Sequence, residues 1–118
     1  MGKFELMKRT KNFSVNVYFL VDKLPDTKGT KNLSYQLLKS SSSVAANYRA
    51  ACRAKSFADF LNKIKIVEEE ADESVFWLEY MEDVKLVNDS KIHGPIKKEA
   101  SELVAIFTQT LKTLRSKN

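Results

Sequence analysis

Apolar side chains recur at spacings of three and four residues along four stretches of the chain, which places them on one face of a helix. Polar interruptions that contain Pro25 with Gly29, or Gly94 with Pro95, separate some of these stretches. The pattern predicts an all-α, single-domain protein (1–118) with helices at roughly 3–24, 31–53, 56–85 and 95–116. Short connections between the helices favour antiparallel neighbours, as in a four-helix bundle.

A proline and two groups of helix-capping residues set the first three predicted boundaries. The first helix is expected to stop at Pro25, because the residue before a proline is pushed out of the α region. Side-chain oxygens within 30–32 can cap the second helix. Ser56 followed by Asp59 resembles a capping box at the start of the third.

Pro95 sets the predicted start of the fourth helix. The first helical position tolerates proline, since its fixed φ suits a helix and its missing N–H is not needed there. The polar residues before it, including His93, are therefore predicted to form the last loop.

The third helix carries two groups of apolar residues. One keeps a seven-residue repeat typical of a bundle seam: Phe57, Phe60, Ile64, Val67, Ala71, Ser74, Leu78 and Met81. The other lies partly off that seam, where a monomeric surface helix would not normally expose it: Ile66, Phe76, Trp77, Tyr80 and Val84. We expect the second group to meet another subunit, with Trp77 and Tyr80 as anchors.

The centre of the second helix is built from small residues, including the run Ser40–Ser43. Small side chains let a partner helix approach closely, which predicts a packing seam. A serine nucleophile would need a base beside it, and no motif links His93, the single histidine, to these serines. Asn47 is unfavourable inside a helix, so we expect it to make an interhelical hydrogen bond or to serve a subunit interface.

Neither a metal site nor a catalytic site is predicted. Cys52 and His93 are the only residues of their types, and the Glu-x-x-His motif of di-iron bundles is absent, so the acids at 68–73 are interpreted as a solvated or ion-paired face. The sequence offers no nucleophile with its base and no Gly-rich phosphate loop. We therefore expect a non-enzymatic protein with no cofactor and no small-molecule substrate.

We expect neither a signal peptide nor a membrane anchor, since charges interrupt every apolar run well before the roughly 18 residues of a spanning helix. A lone cysteine cannot form an internal disulfide and fits a reducing compartment. We expect a soluble, cytoplasmic protein with no membrane partner.

Charge is polarised along the chain, whose formal net charge is +5. Six basic residues and one acid lie within 39–65, whereas eight acids and no Lys or Arg lie within 66–83. The candidate nucleic-acid-binding residues are Arg49, Arg53, Lys55, Lys63 and Lys65. The alternative is that this basic group pairs with acids of a neighbouring subunit, for which the candidates are Glu69, Asp72 and Glu73. A second basic group, Lys8, Arg9 and Lys11, is interpreted as solvated surface.

The string QLLKSSSSVAANYRAACRAKSFADFLNKIKIVEEEADESVFWLEY, at 36–80, resembles a bacterial family of four-helix-bundle proteins that includes those encoded by intervening sequences within 23S ribosomal RNA genes. FELMKRTKNFSVNVYFLVDKLP and ELVAIFTQTLKTLRSKN resemble the opening and close of that family. The resemblance implies an up-down-up-down bundle assembled as a ring-like homopentamer, with no enzymatic activity. A related protein, the accessory variability determinant of diversity-generating retroelements, binds nucleic acid through basic surface and assists a reverse transcriptase.

Two hypotheses of function follow. The first is an oligomeric module that binds RNA or DNA non-specifically through its basic surface, as part of a nucleic-acid-processing system that can include a reverse transcriptase. The second is an assembly protein whose charges form the subunit interface and whose partner is another protein.

Overall fold

The computed structural model describes residues 1–87 and 89–117, and within them the chain forms four α-helices and no strand. Each helix packs against the next, and the first also packs against the last, so they close into an antiparallel bundle of 46 × 22 × 21 Å. The predicted all-α class and four-helix architecture are confirmed. The helices are α1 (Lys3–Asp22), α2 (Lys28–Ala51), α3 (Phe57–Asp83) and α4 (Ser90–Ser116).

One apolar core runs through the bundle, and the predicted helix faces supply it. The predicted seam of α3 is buried from Ile64 to Met81, but Phe57 is 44% exposed because it is the first residue of the helix. The largest fully buried side chains come from all four helices and include Phe13, Val17, Leu33, Leu37, Ile64, Leu78, Leu103 and Phe107.

The small residues of α2 form the predicted close seam with α3. Ser40 and Ser74 are completely buried, and their hydroxyl oxygens lie 2.9 Å apart. A hydrogen bond of this length between two helices requires short side chains on both. The interpretation of the serine run as a packing seam therefore agrees with the contacts of Ser40.

The connection between α1 and α2 differs from the prediction at both ends. α1 ends at Asp22 rather than at residue 24, because a turn in which the Leu24 N–H donates to the Val21 carbonyl precedes Pro25. α2 begins at Lys28 rather than at residue 31. Its cap is Thr27, whose Oγ1 accepts a hydrogen bond from the backbone N–H of Thr30 at 3.2 Å.

The connection between α2 and α3 shows the predicted Ser56 cap in altered form. Ser56 Oγ accepts from the backbone N–H of Asp59 at 3.1 Å, as predicted. The Asp59 carboxylate, however, accepts from the backbone N–H of Lys55 instead of returning to Ser56, so the capping box is not reciprocal. α2 ends at Ala51, two residues before its predicted end.

α3 ends at Asp83 rather than at residue 85, in a Schellman motif. The backbone N–H of Lys85 donates to Glu82, and that of Leu86 donates to Met81 at 2.9 Å. This geometry requires a left-handed residue, and Lys85 has a φ of 60°. The motif stops the helix although no glycine or proline marks the position.

The predicted start of α4 at Pro95 is wrong. The helix begins at Ser90, one turn and a half earlier, because the Asp89 carboxylate caps it by accepting from the backbone N–H of Lys91 at 2.9 Å. Pro95 therefore lies inside the helix, and the hydrogen bond it cannot make belongs to the carbonyl of Lys91, an exposed residue that water can reach. His93 is consequently a buried helical residue and not a loop residue.

Candidate nucleic-acid interface

A shallow groove of roughly 550 Å³ runs between α1 and α2. Its floor is made of the small side chains Ser42, Ala45 and Ala46 of α2, which leave space between the two helices. Its basic rim is formed by Lys8 and Lys11 of α1 and by Arg49 of α2, all exposed, and Met7 completes the lining. Short floor residues below long cationic ones make a surface on which phosphates can approach three positive charges.

Acidic side chains do not line this groove within the part of the chain that the structure describes. The sequence explains why, since α2 carries Lys28, Lys31, Lys39 and Arg49 but contains no Asp or Glu along its length. Arg53 is exposed in the turn just beyond the end of α2 and does not line the groove.

The five predicted basic candidates do not form one cluster. Arg49 lies in the groove, and Arg53 follows it. Lys63 instead pairs with Asp59 one turn earlier on α3, and this contact, together with the hydrogen bond from the Lys55 backbone, lowers the pKa of the Asp59 carboxyl. Lys65 and Lys55 are exposed outside the groove lining.

Lys8 and Lys11 are the groove residues that the sequence did not assign to a site. The antiparallel packing of α1 on α2 brings the start of one helix beside the end of the other, so residues about 40 positions apart meet. Both basic groups are visible in the sequence, Lys8 and Lys11 in the first helix and Arg49 in the second. Neither group indicates by itself that the other is its neighbour.

Arg9, between these two lysines in sequence, faces α4 and is not part of the groove. Its guanidinium binds Glu99 through two hydrogen bonds of 2.7 Å and Glu102 through one of 2.8 Å. The hydrogen bond to Glu99 is the main cause of its raised pKa. Arg9 thus forms ion pairs that link α1 to α4, and it is not the solvated surface residue that we expected.

The acidic residues of α3 occupy a different surface. Glu69, Asp72 and Glu73 are exposed, whereas Glu68 accepts a hydrogen bond of 2.6 Å from the hydroxyl of Thr108 on α4. Glu70 is half-buried between α3 and α2, and this burial raises the pKa of its carboxyl. No group of three His, Cys, Asp or Glu side chains could hold a metal ion within 1–87 and 89–117.

The aromatic residues expected at a subunit interface form a cluster on α3. The ring centroid of Trp77 lies 4.9 Å from that of Phe76 and 5.2 Å from that of Tyr80. Phe76 and Tyr80 are 53% and 41% exposed. Trp77 is half-buried, and its indole Nε1, fully buried, has no hydrogen-bond partner among the described residues.

Asn47, the remaining interface candidate, makes its hydrogen bonds within α2. Its amide nitrogen donates to the carbonyl and to the hydroxyl of Ser43, at 3.0 and 2.8 Å. The predicted interhelical hydrogen bond is therefore wrong, because a residue four positions earlier on the same helix lies within reach of the amide. Its place in a subunit interface stays a prediction.

The described helices include none that is long and apolar enough to cross a membrane.

The arrangement defines a class of protein, a small antiparallel four-helix bundle with a basic groove on one side and an acidic, aromatic helix face on another. A family model described as "23S rRNA-intervening sequence protein" matches residues 2–109. The chain belongs to this family, as its sequence resemblance indicated.

A solved structure supports the same fold. The chain is similar to a protein of unknown function from the S23 ribosomal protein family of Bacteroides thetaiotaomicron VPI-5482, whose crystal structure is known at 1.70 Å resolution. The two are 28% identical, with a TM-score of 0.82, over 95% of this chain and 99% of that one. A search of curated proteins found no match.

Proposed function

We propose that this protein is a non-enzymatic, oligomeric binding module that holds RNA or DNA through the groove between α1 and α2, without sequence specificity. The observation that carries the proposal is the acid-free basic rim, in which Lys8, Lys11 and Arg49 converge from two helices. Cationic side chains in this arrangement attract phosphates of any sequence, because phosphate contacts position a nucleic acid but do not read its bases.

The ion pairs elsewhere in the molecule support the assignment of this groove. Arg9, Lys63 and Lys97 each contact a carboxylate of the same chain, at Glu99, Asp59 and Glu82. The rim residues of the groove have no such pair among the described residues. Their charge is available to a partner, and a polyanion is the partner that matches three cations without an intervening acid.

A matched pair of double variants tests the proposal. Lys8→Gln with Lys11→Gln removes two charges from the groove, and Lys63→Gln with Lys97→Gln removes two from ion pairs outside it. Labelled RNA and DNA should bind the wild type in a salt-dependent manner, and the groove variant should lower the slope of log K against log salt by about 2. Equal loss in the two variants would show that net charge, not the groove, attracts the nucleic acid.

Assembly through α3 is the second candidate function, and the exposed Phe76–Trp77–Tyr80 cluster favours it. In this account the subunits form a homo-oligomer, the ring-like homopentamer that the family resemblance implies, and the acids of α3 pair with Arg49 or Arg53 of a neighbour. The partner of the assembled ring would then be another protein, of which a reverse transcriptase is one example.

Sizing chromatography separates the two accounts. Arg53→Glu should disperse the oligomer if basic residues form the subunit interface, and should leave its size unchanged if they serve nucleic acid. Tyr80→Ala should reduce the assembled fraction in either case, since α3 would still contact the neighbour. Tyr35→Ala, which removes a ring from α2, is the matched control and should elute with the wild type.

A further inference from the structure

Exposed aromatic rings extend the basic groove toward both of its ends. Among the described residues, five aromatic side chains are more than half exposed, and four of them lie on α1 or α2: Phe4 (76%), Tyr18 (55%), Phe19 (57%) and Tyr35 (60%). Apolar residues that are exposed close together on a protein surface usually mark an interaction site, whereas single ones are ordinary. Here the rings are on the two helices that form the groove.

The helical register places these rings in line with the cations of the groove. On α1, Phe4 precedes Lys8 by four residues and Tyr18 follows Lys11 by seven, so all four share one face of the helix. On α2, Tyr35 precedes the floor residue Ser42 by seven residues. Because the helices are antiparallel, Tyr18 and Tyr35 lie at the same end of the groove, and Phe4 lies at the other.

From Phe4 to Tyr18 the surface spans about 21 Å, given a rise of about 1.5 Å per residue. Along this length an aromatic ring comes first, then two cations, then a second ring. Alternating rings and positive charges are typical of proteins that bind single strands, where bases stack on the rings and phosphates meet the cations. The bases of a duplex are already stacked on one another and offer no free face.

From this juxtaposition we infer that the groove between α1 and α2 selects single-stranded nucleic acid over duplex, through stacking of unpaired bases on Tyr18, Tyr35 and Phe4. This inference rests on the proposed function and adds the strandedness of its ligand. The small floor residues Ser42, Ala45 and Ala46 suit it, because they let an extended strand lie between the two rims.

The test compares a labelled single strand of about 16 nucleotides with the duplex of the same sequence, by fluorescence anisotropy at fixed salt. The wild type should bind the single strand more tightly. Tyr18→Ala and Tyr35→Ala should each weaken single-strand binding by about tenfold and leave duplex binding unchanged, whereas Tyr18→Phe and Tyr35→Phe should retain it, since the ring remains. Phe57→Ala, which removes an exposed ring at the start of α3, outside the groove and outside the Phe76–Trp77–Tyr80 cluster, is the control and should bind normally.

Other outcomes would overturn the inference in distinguishable ways. If binding is salt-dependent and lost in the Lys8/Lys11 variant but indifferent to strandedness and to the tyrosines, stacking is refuted and the proposed function stands. If neither the single strand nor the duplex binds at low salt, both this inference and the proposed function are refuted. If Tyr18→Ala or Tyr35→Ala also changes the elution volume on a sizing column, the rings belong to a subunit interface and the inference is refuted.

Discussion

The imidazole Nε2 of His93 lies 2.9 Å from the backbone carbonyl oxygen of Leu78 and links the first turn of α4 to the C-terminal part of α3. A carbonyl oxygen only accepts, so Nε2 carries the proton and donates it. His93 is 3% exposed, and the carbonyl of Leu78 belongs to a continuous helix. The contact therefore sets the position of the turn before Pro95.

We expect His93→Ala to lower the free energy of unfolding by about 2–3 kcal/mol, because it leaves a cavity and removes a buried hydrogen bond. His93→Phe fills most of the volume without the hydrogen bond and should cost less, about 1 kcal/mol. Urea denaturation followed by circular dichroism measures both. Lys98→Ala, an exposed change in the same helix, should stay within about 0.5 kcal/mol of wild type, and an equally small effect of His93→Ala would contradict the role of the contact.

The left-handed residue that ends α3 gives a second prediction. Lys85 has a φ of 60°, which strains a side chain with a Cβ but not a glycine. Lys85→Gly should therefore raise the free energy of unfolding by about 0.5–1 kcal/mol, and Lys85→Val should lower it, since a β-branched residue tolerates this φ less than lysine does.

Thermal and urea denaturation of these two variants test the effect of the backbone angle. Lys91→Gly, at an exposed helical position with ordinary geometry, is the control and should destabilise the protein. A loss of stability in Lys85→Gly similar to that of Lys91→Gly would show that the φ of Lys85 is not a source of strain.

The sequence could predict helices and buried faces because each face depends on residues of one segment. In α4, Ile96, Ala100, Leu103 and Phe107 follow one another at spacings of three and four residues, and all four are buried. The Ser56 cap was likewise predictable, since the cap and the N–H it binds are three residues apart. The start of α4 was missed because Asp89 and Pro95 both offer start signals, and the burial of His93 against α3 favours the earlier one.

The candidate site was less predictable, because the helix packing decides which residues come together to form it. Lys8 and Arg9 are adjacent in sequence, yet one lines the groove with α2 and the other binds two glutamates of α4. A rotation of about 100° per residue separates their directions, and only the packed bundle shows what each side chain meets. Lys63 differs from these two residues, because its partner Asp59 lies one turn earlier on the same helix, and this ion pair could be predicted from the spacing of four residues.

The effect of Glu70 on the free energy of unfolding is expected to depend on pH. Burial raises the pKa of its carboxyl in the folded state above the ordinary glutamate value of 4.5, and the nearby negative charge of Glu73 contributes in the same direction. The charged form is therefore penalised on folding. The penalty is absent below the unfolded pKa, where both states are protonated, and is complete once the pH exceeds the folded pKa.

Glu70→Gln should consequently be more stable than the wild type at neutral pH, and the difference should vanish as the pH falls toward the unfolded value. Urea denaturation of the two proteins between about pH 4 and 8 measures this. Glu69→Gln, one residue away and exposed, is the control. Its free energy of unfolding should differ less from that of the wild type, and this difference should change less with pH. A constant gap between Glu70→Gln and wild type across that range would refute the raised pKa.

The buried Ser40–Ser74 pair gives the last prediction, because each hydroxyl has an alternative acceptor. Ser40 Oγ also lies 3.2 Å from the Leu37 carbonyl, and Ser74 Oγ lies 2.9 Å from the Glu70 carbonyl. Each hydroxyl has one proton, so one serine donates to the other and the second donates to a carbonyl of its own helix. Neither hydroxyl is left unsatisfied when its partner is removed.

Ser40→Ala and Ser74→Ala should therefore each cost only about 1 kcal/mol. The double variant should cost less than the sum of the two, since the hydrogen bond between the two hydroxyls is lost in either single variant and can be lost only once. Ser40→Leu should cost more, about 1–3 kcal/mol, because the seam has no space for a larger side chain. Urea denaturation of the four variants completes the cycle. Additive alanine costs would contradict the coupling, and a tolerated leucine would show that close packing of α2 on α3 is not what the serines provide.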